Sequence, residues 1–545
     1  MPSSSGLLAL SNTLHVKSYV DSEEDEFVDA YEHQLEEREL TVSLPHTGMD
    51  IMHRRTDSME SYPDMSSESE SESTANEARV YTTKTSPKKV SATHRRTASQ
   101  DKSRPLNKSV SVDSTSQQQQ LQQNSGSNSS LSNLGSQTRT GGGGRKRRKK
   151  IPEKPNISLN LWSFMKNAIG KELSKIPMPV NFNEPLSMLQ RIMEEMEYGE
   201  ILDQAARCQD SAEQMAWVAA FTVSAYATTL FRVGKPFNPL LGETFEFDRM
   251  DDLGWRGISE QVSHHPPALA MHIEGKDWST WQEFTMTTKF RGRYLQIIPM
   301  GIAHLVFTKS GHHYTWRKVV TTVNNVIVGN LWVDNHGEME ITNHFNGDKC
   351  HLKYSAYSYF SREEPRKVTG VVTDKEGSAK WVLTGTWDQK MEAAQIVHQE
   401  ESNKGKPVFE TGPRRTMWKV RPPPPGAERM YFFSQLAIEM NEVEEGVAPT
   451  DSRHRPDQRC MEEGRWDEAN RVKVRLEEKQ RESRKLREAQ VERAKAEGLE
   501  TPQYKPTWFR KERCSVTGTV MHRYNKMYWD CKARQDWSAC PDIFL

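Results

Sequence analysis

The chain of 545 residues balances 74 basic against 74 acidic side chains, so no excess of positive charge points to a nucleic-acid partner. Its six cysteines, at 208, 350, 460, 514, 531 and 540, form no CxxC pair. That spacing suggests neither a zinc ribbon nor a disulfide framework, and it fits a reducing, cytosolic compartment with no metal and no cofactor expected.

Residues 1–150 are rich in Ser, Thr, Gln, Asn and charge, with SSESESEST at Ser66–Thr74, a glutamine run at 117–120 and GGGG at 141–144. Such composition cannot bury enough apolar surface to offset chain entropy, so a disordered arm is expected. Ser3 to Leu10 lacks the basic start and apolar middle of a secretory signal, and none is expected there. Arg55-x-x-Ser58 and Arg96-x-x-Ser99 suit basophilic kinases as partners of this arm. The arm ends in Arg145-Lys146-Arg147-Arg148-Lys149-Lys150. That run reads as a nuclear localisation signal or a patch for anionic lipid, or else as a solvated charge run at a linker.

An ordered domain is expected over 151–545. Leu159, Leu161, Trp162, Phe164, Met165, Ile169, Leu173 and Ile176 recur near helical spacing until Pro177 and Pro179, predicting a helix over 156–180. Leu186–Tyr198 predicts a second short helix and Ala212–Leu230 a third. Met215–Phe231 is free of charge for 17 residues but carries Thr222, Ser224, Tyr226, Thr228 and Thr229. It sits at the lower limit for a membrane span and reads as a buried helix, so membrane contact should be peripheral. From Thr244 to about Leu383 the pattern is β. Runs such as Tyr294–Ile298, His304–Phe307, Val326–Val328 and Leu331–Val333 alternate with turn signals such as Asn335-His336-Gly337 and Asn346-Gly347-Asp348. The fold class expected is α+β, with a large antiparallel sheet or barrel over about 235–440. Beyond the proline run Pro422–Pro425, Arg429–Glu439 is strand-like. In the segment 460–545, Trp466–Glu497 is a charged helix, and the last 40 residues are aromatic and irregular.

Three features carry chemistry. The first is Glu260-Gln261-Val262-Ser263-His264-His265-Pro266-Pro267. Two prolines fix the backbone after two imidazoles, which suits an anion or a metal. Strand neighbours point to opposite faces, so joint action by His264 and His265 needs a turn; otherwise one packs and the other is exposed. Ser263 lacks a GxSxG context, so nucleophilic catalysis is not expected and the protein reads as a non-enzyme. The second feature is the loop Gly234–Thr244, GKPFNPLLGET, with Lys235 and Asn238 as donors suited to a phosphate oxygen, or simply as parts of a connection. The third is Lys473, Glu477 and Arg481 at i, i+4 and i+8 on the charged helix, either a functional face or a solvated ion-pair ladder.

Together EQVSHHPP and KPFNPLLGE resemble the lipid-binding domain of the oxysterol-binding-protein-related family, over about 390 residues from Asn156. The tail ending CPDIF resembles members with a short aromatic C-terminus. The resemblance implies an incomplete antiparallel β-barrel around a central lipid tunnel, with an N-terminal helical lid and a C-terminal helical segment. It puts Lys235, Asn238, His264, His265, Lys473, Glu477 and Arg481 on a phosphoinositide headgroup at the tunnel mouth. A lid over 156–180 would offer Trp162, Phe164, Ile169, Leu173 and Ile176 to a sterol or acyl chain. Phosphate oxygens in a partly dehydrated mouth need several cationic donors, so the assignment is chemically coherent.

The arm carries a second resemblance. Glu26-Phe27-Val28-Asp29-Ala30-Tyr31-Glu32 follows the acidic stretch Asp21–Asp25 and resembles the FFAT motif EFFDAxE. Val28 stands where the pattern has a second phenylalanine, which lowers the expected affinity. Acidic residues would steer the peptide to a basic groove, Phe27 would fill an apolar pocket, and Glu26, Asp29, Ala30 and Glu32 would complete the fit. The implied partner is a VAP-type endoplasmic-reticulum protein. The resulting expectation is a cytoplasmic, peripheral protein at endoplasmic-reticulum contact sites. It would transfer sterol and phosphatidylinositol 4-phosphate, or act as a lipid sensor or scaffold, or carry phosphatidylserine as the second lipid.

Overall fold

The computed structural model describes residues 14–20, 36–42, 145–155, 180–291, 293–326, 329–358, 364–401 and 407–544. The FFAT-like stretch, both Arg-x-x-Ser sites and the lid residues Trp162, Phe164, Ile169, Leu173 and Ile176 lie outside them. Within the arm expected to be disordered, Leu14–Val20 pairs antiparallel with Glu36–Val42.

Alternation of apolar and polar residues builds the main sheet. Lys349–Tyr354 buries every second side chain, and Lys367–Thr373 does the same in the next strand. Among the described residues, sixteen strands join into one sheet, from Thr244–Arg249 at one end to Pro407–Thr411 and Arg415–Lys419 at the other. The ladders are antiparallel throughout, and the end strands pair with nothing across the gap, so the barrel is incomplete, as expected. Trp332–Asn343 is the branch point. Its first half pairs with Val320–Asn324 and its last residues with His313–Trp316.

The alanine-rich helix Ser211–Ser224 packs against the strands between Lys349 and Lys419. Asp210 caps it by accepting the Glu213 N–H at 2.9 Å. Met215, Ala216, Val218, Ala219, Ala220 and Val223 are fully buried, so the apolar run is core. No described helix is long and apolar enough to cross a membrane.

Three sequence expectations need correction. Leu186 and Ser187 end a strand, Asn183–Ser187, rather than starting a helix. Ser187 then forms a capping box with Gln190, which delays the helix to Met188–Met193, followed by a 3-10 turn to Tyr198. Arg429–Glu439 is not a strand. Tyr431 and Phe432 adopt φ values of 57° and 55°, and Ser434 caps the helix Gln435–Met440 by accepting from the Ala437 N–H at 3.1 Å. The aromatic tail is ordered. Phe509–Arg513 pairs with Val520–Tyr524, and the helix Tyr528–Arg534 follows.

The basic run at 145–150 is only in part a solvated charge run. Arg145 and Arg147 each meet Glu444 at 3.2 Å, Arg148 meets Glu462 at 2.8 Å, and Ile151 is buried just beyond. Lys149 and Lys150 stay exposed.

The tail has a clear anchor. Ile258, Val262, Ala268 and Ala270 form one apolar cluster with Trp508, Phe509, Tyr524 and Tyr528. Glu260 sits among them, and its carboxylate accepts the Thr507 and Trp508 N–H groups at 2.7 and 2.8 Å. Burial, partly offset by these donors, lifts its pKa to about 8. A raised folded pKa means that the contribution of this group is complete below its ordinary value of 4.5 and is lost as pH rises through about 8. Glu260→Gln sets an amide N–H₂ against a backbone N–H and should destabilise the fold by about 1–3 kcal/mol. Unfolding across that pH window should also show a smaller loss of stability with rising pH in the variant than in the parent. Equal slopes would refute the assignment.

Candidate lipid-headgroup site

The strand Trp255–His264 ends at the histidines, and a turn containing the cis His265–Pro266 peptide leads into Pro267–Gly275. The ladder is irregular between Gln261 and Ser263. The turn supplies what a regular strand could not, because the two imidazole rings lie 4.8 Å apart with planes at 89°. His264 is buried and His265 half-buried.

Gln480 fixes the first ring. Its Oε1 accepts the Leu241 N–H at 2.8 Å, so its amide nitrogen must face His264 Nε2, also at 2.8 Å. The amide donates, Nε2 accepts, and the neutral ring carries its proton on Nδ1. One glutamine thus joins the proline-rich loop, the histidine turn and the long helix Trp466–Ala496.

The loop is held along its length. Lys235–Phe237 pairs in parallel with Asn183–Ser187, and the buried Asn183 amide donates to the carbonyls of Lys235 and Pro236 at 3.2 and 3.3 Å. Phe237 is buried in one cluster with Trp466 and Ala469, at the start of the long helix. The Arg455 guanidinium lies over the Phe237 ring, donates to the Asn238 carbonyl at 2.6 Å and pairs with Glu243 at 2.9 Å. Gly242 has a φ of 83°, and a Cβ there would crowd the Tyr504 hydroxyl at 3.0 Å, so the turn needs glycine. Lys235 is half-buried and Asn238 buried.

On the long helix, Lys473 and Glu477 form a buried ion pair, which overturns the reading of a solvated ladder. One turn further, Arg481 reaches a cleft of about 710 Å³ shared with His264 and His265. The structure therefore brings His264, His265 and Arg481 into one cavity. Phe237 and Leu241 tie the loop bearing Lys235 and Asn238 to the helix bearing Lys473 and Glu477, and Arg455 braces the loop itself.

The sequence reading missed part of this cleft. Gln480, Arg484, Arg487, Val491 and Lys495 line it, and Tyr504, Lys511 and His522 close it from the tail. The helical members continue the i, i+3, i+4 progression beyond Arg481, a signal present in the sequence. The tail members carried no local signal. Arg484 pairs with Glu488 at 2.6 Å and Lys495 with Glu492 at 2.7 Å, whereas Arg481 and Arg487 make no ion pair among the described residues. Partial burial pulls Arg487 below the ordinary arginine value. Among the described residues the lining sets Arg481, Arg484, Arg487, Lys495 and Lys511 against Glu488 and Glu492, so the cleft is net cationic.

Comparison with known proteins matches these features. A family model described as oxysterol-binding protein matches residues 160–533. The chain is similar to oxysterol-binding protein 2 of Mus musculus, 56% identical over 402 residues that make up 73% of this chain and 44% of that one. It is 39% identical to oxysterol-binding protein homolog 2 of Saccharomyces cerevisiae over 72% of this chain and 31% of that one. The match thus spans less than half the length of these two relatives. Among solved structures, the Osh1 ORD domain in complex with cholesterol superposes with a TM-score of 0.65 at 35% identity, covering 73% of this chain and 95% of that domain. The Saccharomyces cerevisiae Osh3 ORD in complex with PI(4)P gives 0.60 at 31%, covering 73% and 99%. With the family model covering most of the chain, this chain belongs to the oxysterol-binding protein family.

Proposed function

We propose that this protein is a lipid transfer protein that loads sterol and phosphatidylinositol 4-phosphate alternately and carries them between the endoplasmic reticulum and a second membrane. The family consists of lipid-binding and lipid-transfer proteins, not enzymes. The observation that carries the reading is the cleft where His264, His265 and Arg481 converge in a lining that holds more cationic than acidic side chains. A phosphate monoester supplies the missing anion, and the paired imidazoles supply directed N–H donors. Lys235 and Asn238 on the loop, and Lys473 and Glu477 on the helix, complete the headgroup set. The complexes of the Osh1 domain with cholesterol and of the Osh3 domain with PI(4)P support the two ligand classes.

Direction follows from loading. A phosphoinositide gradient between two membranes biases which lipid leaves with the protein, so exchange needs no covalent step. The segment 156–180 serves as the lid, with Trp162, Phe164, Ile169, Leu173 and Ile176 against the lipid. The FFAT-like stretch Glu26–Glu32 tethers the protein to a VAP-type partner at the endoplasmic reticulum.

The decisive assay is transfer of fluorescent sterol between liposomes, with and without phosphatidylinositol 4-phosphate in the acceptor. Turnover at substoichiometric protein is expected. Binding without transfer would replace the carrier by a lipid sensor, and transfer of phosphatidylserine instead would change the second lipid. His264→Ala with His265→Ala should abolish phosphoinositide extraction and leave the cooperative unfolding transition in place; retained extraction would sink the headgroup assignment. Deleting 156–180 should speed release of bound lipid, measured by stopped-flow transfer to empty vesicles, and an unchanged rate would remove the lid. Phe27→Ala should lose the VAP-type partner in a pull-down, with surviving capture ruling the motif out.

A further inference from the structure

Two aromatic side chains stand exposed on neighbouring loops. Phe231, four residues before Lys235, is 60% exposed, and Phe432, in the turn before the helix Gln435–Met440, is 39% exposed. Their rings touch, with centroids 5.3 Å apart. Val233 beside them is 41% exposed. Isolated surface apolar residues are ordinary, but a contacting aromatic pair extended by an exposed valine is a patch.

The chain holds this patch outward through the next residue on each loop. Arg232 is buried, ion-paired to Glu184 and Glu194, and its guanidinium lies 4.7 Å from the centre of the buried Phe433 ring. With Arg232 and Phe433 anchored inside, Phe231 and Phe432 are directed to solvent. The burial of a full ion-pair cluster fixes the position of two rings that make no use of the core.

Cations border the patch. The segment 145–155 is laid along the same turn, where the Lys154 N–H donates to the Arg429 carbonyl at 2.7 Å and the Gln435 amide donates to the Arg148 carbonyl at 3.0 Å. Between these anchors Lys149, Lys150 and Lys154 are exposed, with the Lys154 ammonium over the Tyr431 ring. The arginines of the basic run are engaged with Glu442, Glu444 and Glu462, and the exposed Glu153 and Glu428 are paired with Arg429, so the unbalanced charge at this edge comes from lysine.

We infer that Phe231, Val233 and Phe432, with Lys149, Lys150 and Lys154, form a docking wedge for an anionic bilayer surface. The rings enter the headgroup–acyl boundary and the ammonium groups meet lipid phosphates and carboxylates. The inference rests on the reading of this domain as one that works at membranes, and it adds the orientation. The loop leading from Phe231 into Lys235 places the wedge beside the proposed headgroup site, so docking turns the cleft's loop toward the lipid to be extracted.

The test is co-sedimentation of the full chain with phosphatidylcholine–phosphatidylserine vesicles that contain neither phosphoinositide nor sterol. Phe231→Ala with Phe432→Ala should lower partitioning by about tenfold, given the apolar area withdrawn from lipid. Lys149→Glu with Lys150→Glu should lower it severalfold and flatten its salt dependence. Lys375→Glu, at an exposed lysine in the turn after Lys367–Thr373, should partition as the parent does. The substituted positions on the wedge are exposed, so unfolding transitions should match the parent. Unchanged partitioning of the phenylalanine variant overturns the wedge, as does an equal loss in the Lys375 variant. If partitioning follows the wedge residues while the parent extracts no lipid, the docking surface stands and the transfer reading falls.

Discussion

An antiparallel sheet that stops short of closure leaves its edge strands without partners, and the arrangement that covers one edge also builds the site. Along Thr244–Arg249, the residues after Ala448 take the place of a missing strand. The Thr244 N–H donates to the Thr450 carbonyl at 2.9 Å, and the Glu246 N–H to Asp451 Oδ2 at 3.1 Å. Charge locks the cover in place. Arg453 reaches Glu246 at 2.9 Å and Asp451 at 2.8 Å, and Arg455 reaches Glu243 and Asp457 at 2.9 and 2.8 Å. Burial pushes the Glu243 and Glu246 carboxyls upward, and the guanidiniums oppose it. Such buried pairs are poor sources of net stability, but their geometry is demanding, which suits an element that must hold one register. Glu243 ends the KPFNPLLGE loop, so the edge cover fixes the loop that carries Lys235 and Asn238.

The same economy places the histidines. The strand that carries them contacts the core through Ser259, whose hydroxyl donates to the Phe245 carbonyl at 3.2 Å, and contacts the tail through Glu260. With neighbouring residues bound on opposite faces, the strand has little freedom to rotate or slip. Its end then presents both imidazoles at a defined turn, and Gln480 couples that turn to the long helix. Three segments distant in sequence become one cationic surface, although the whole chain is neutral. Local concentration of charge, not net charge, is what an anionic ligand meets.

How much of this was legible depended on whether a signal was local. Alternation in Lys349–Tyr354 and the charge-free run from Met215 to Ser224 report their environments directly, so the sheet and the buried helix could be read. Lys473, Glu477 and Arg481 announced a helix face, but the burial of the first two depends on distant packing, which spacing cannot show. Arg429–Glu439 failed because apolar content suggested a strand, whereas two residues at positive φ and the Ser434 cap decide the backbone. The tail failed for a different reason: its order comes from Ile258, Val262 and Glu260, some 250 residues earlier. The three readings of the basic run could not be separated in sequence, since the carboxylates that bind Arg147 and Arg148 lie 297 and 314 residues away.

These contrasts bear on which lipid the chain specifies more sharply. A phosphorylated headgroup is recognised by a few directed donors, and directed donors are held by identifiable bonds such as Gln480 to His264 and Arg455 to the Asn238 carbonyl. A sterol is recognised mainly by the shape of an apolar space, to which many interchangeable side chains contribute. Replacement of one leucine by another apolar residue perturbs that shape slightly, whereas loss of one imidazole removes a donor from a partly dehydrated cavity. The polar cleft is therefore the part of the proposed site that the sequence determines residue by residue. The exposed rings of Phe231 and Phe432 extend that logic outward. They cost the fold little because Arg232 and Phe433 already hold the loops, and they give the mouth a side that prefers lipid to water.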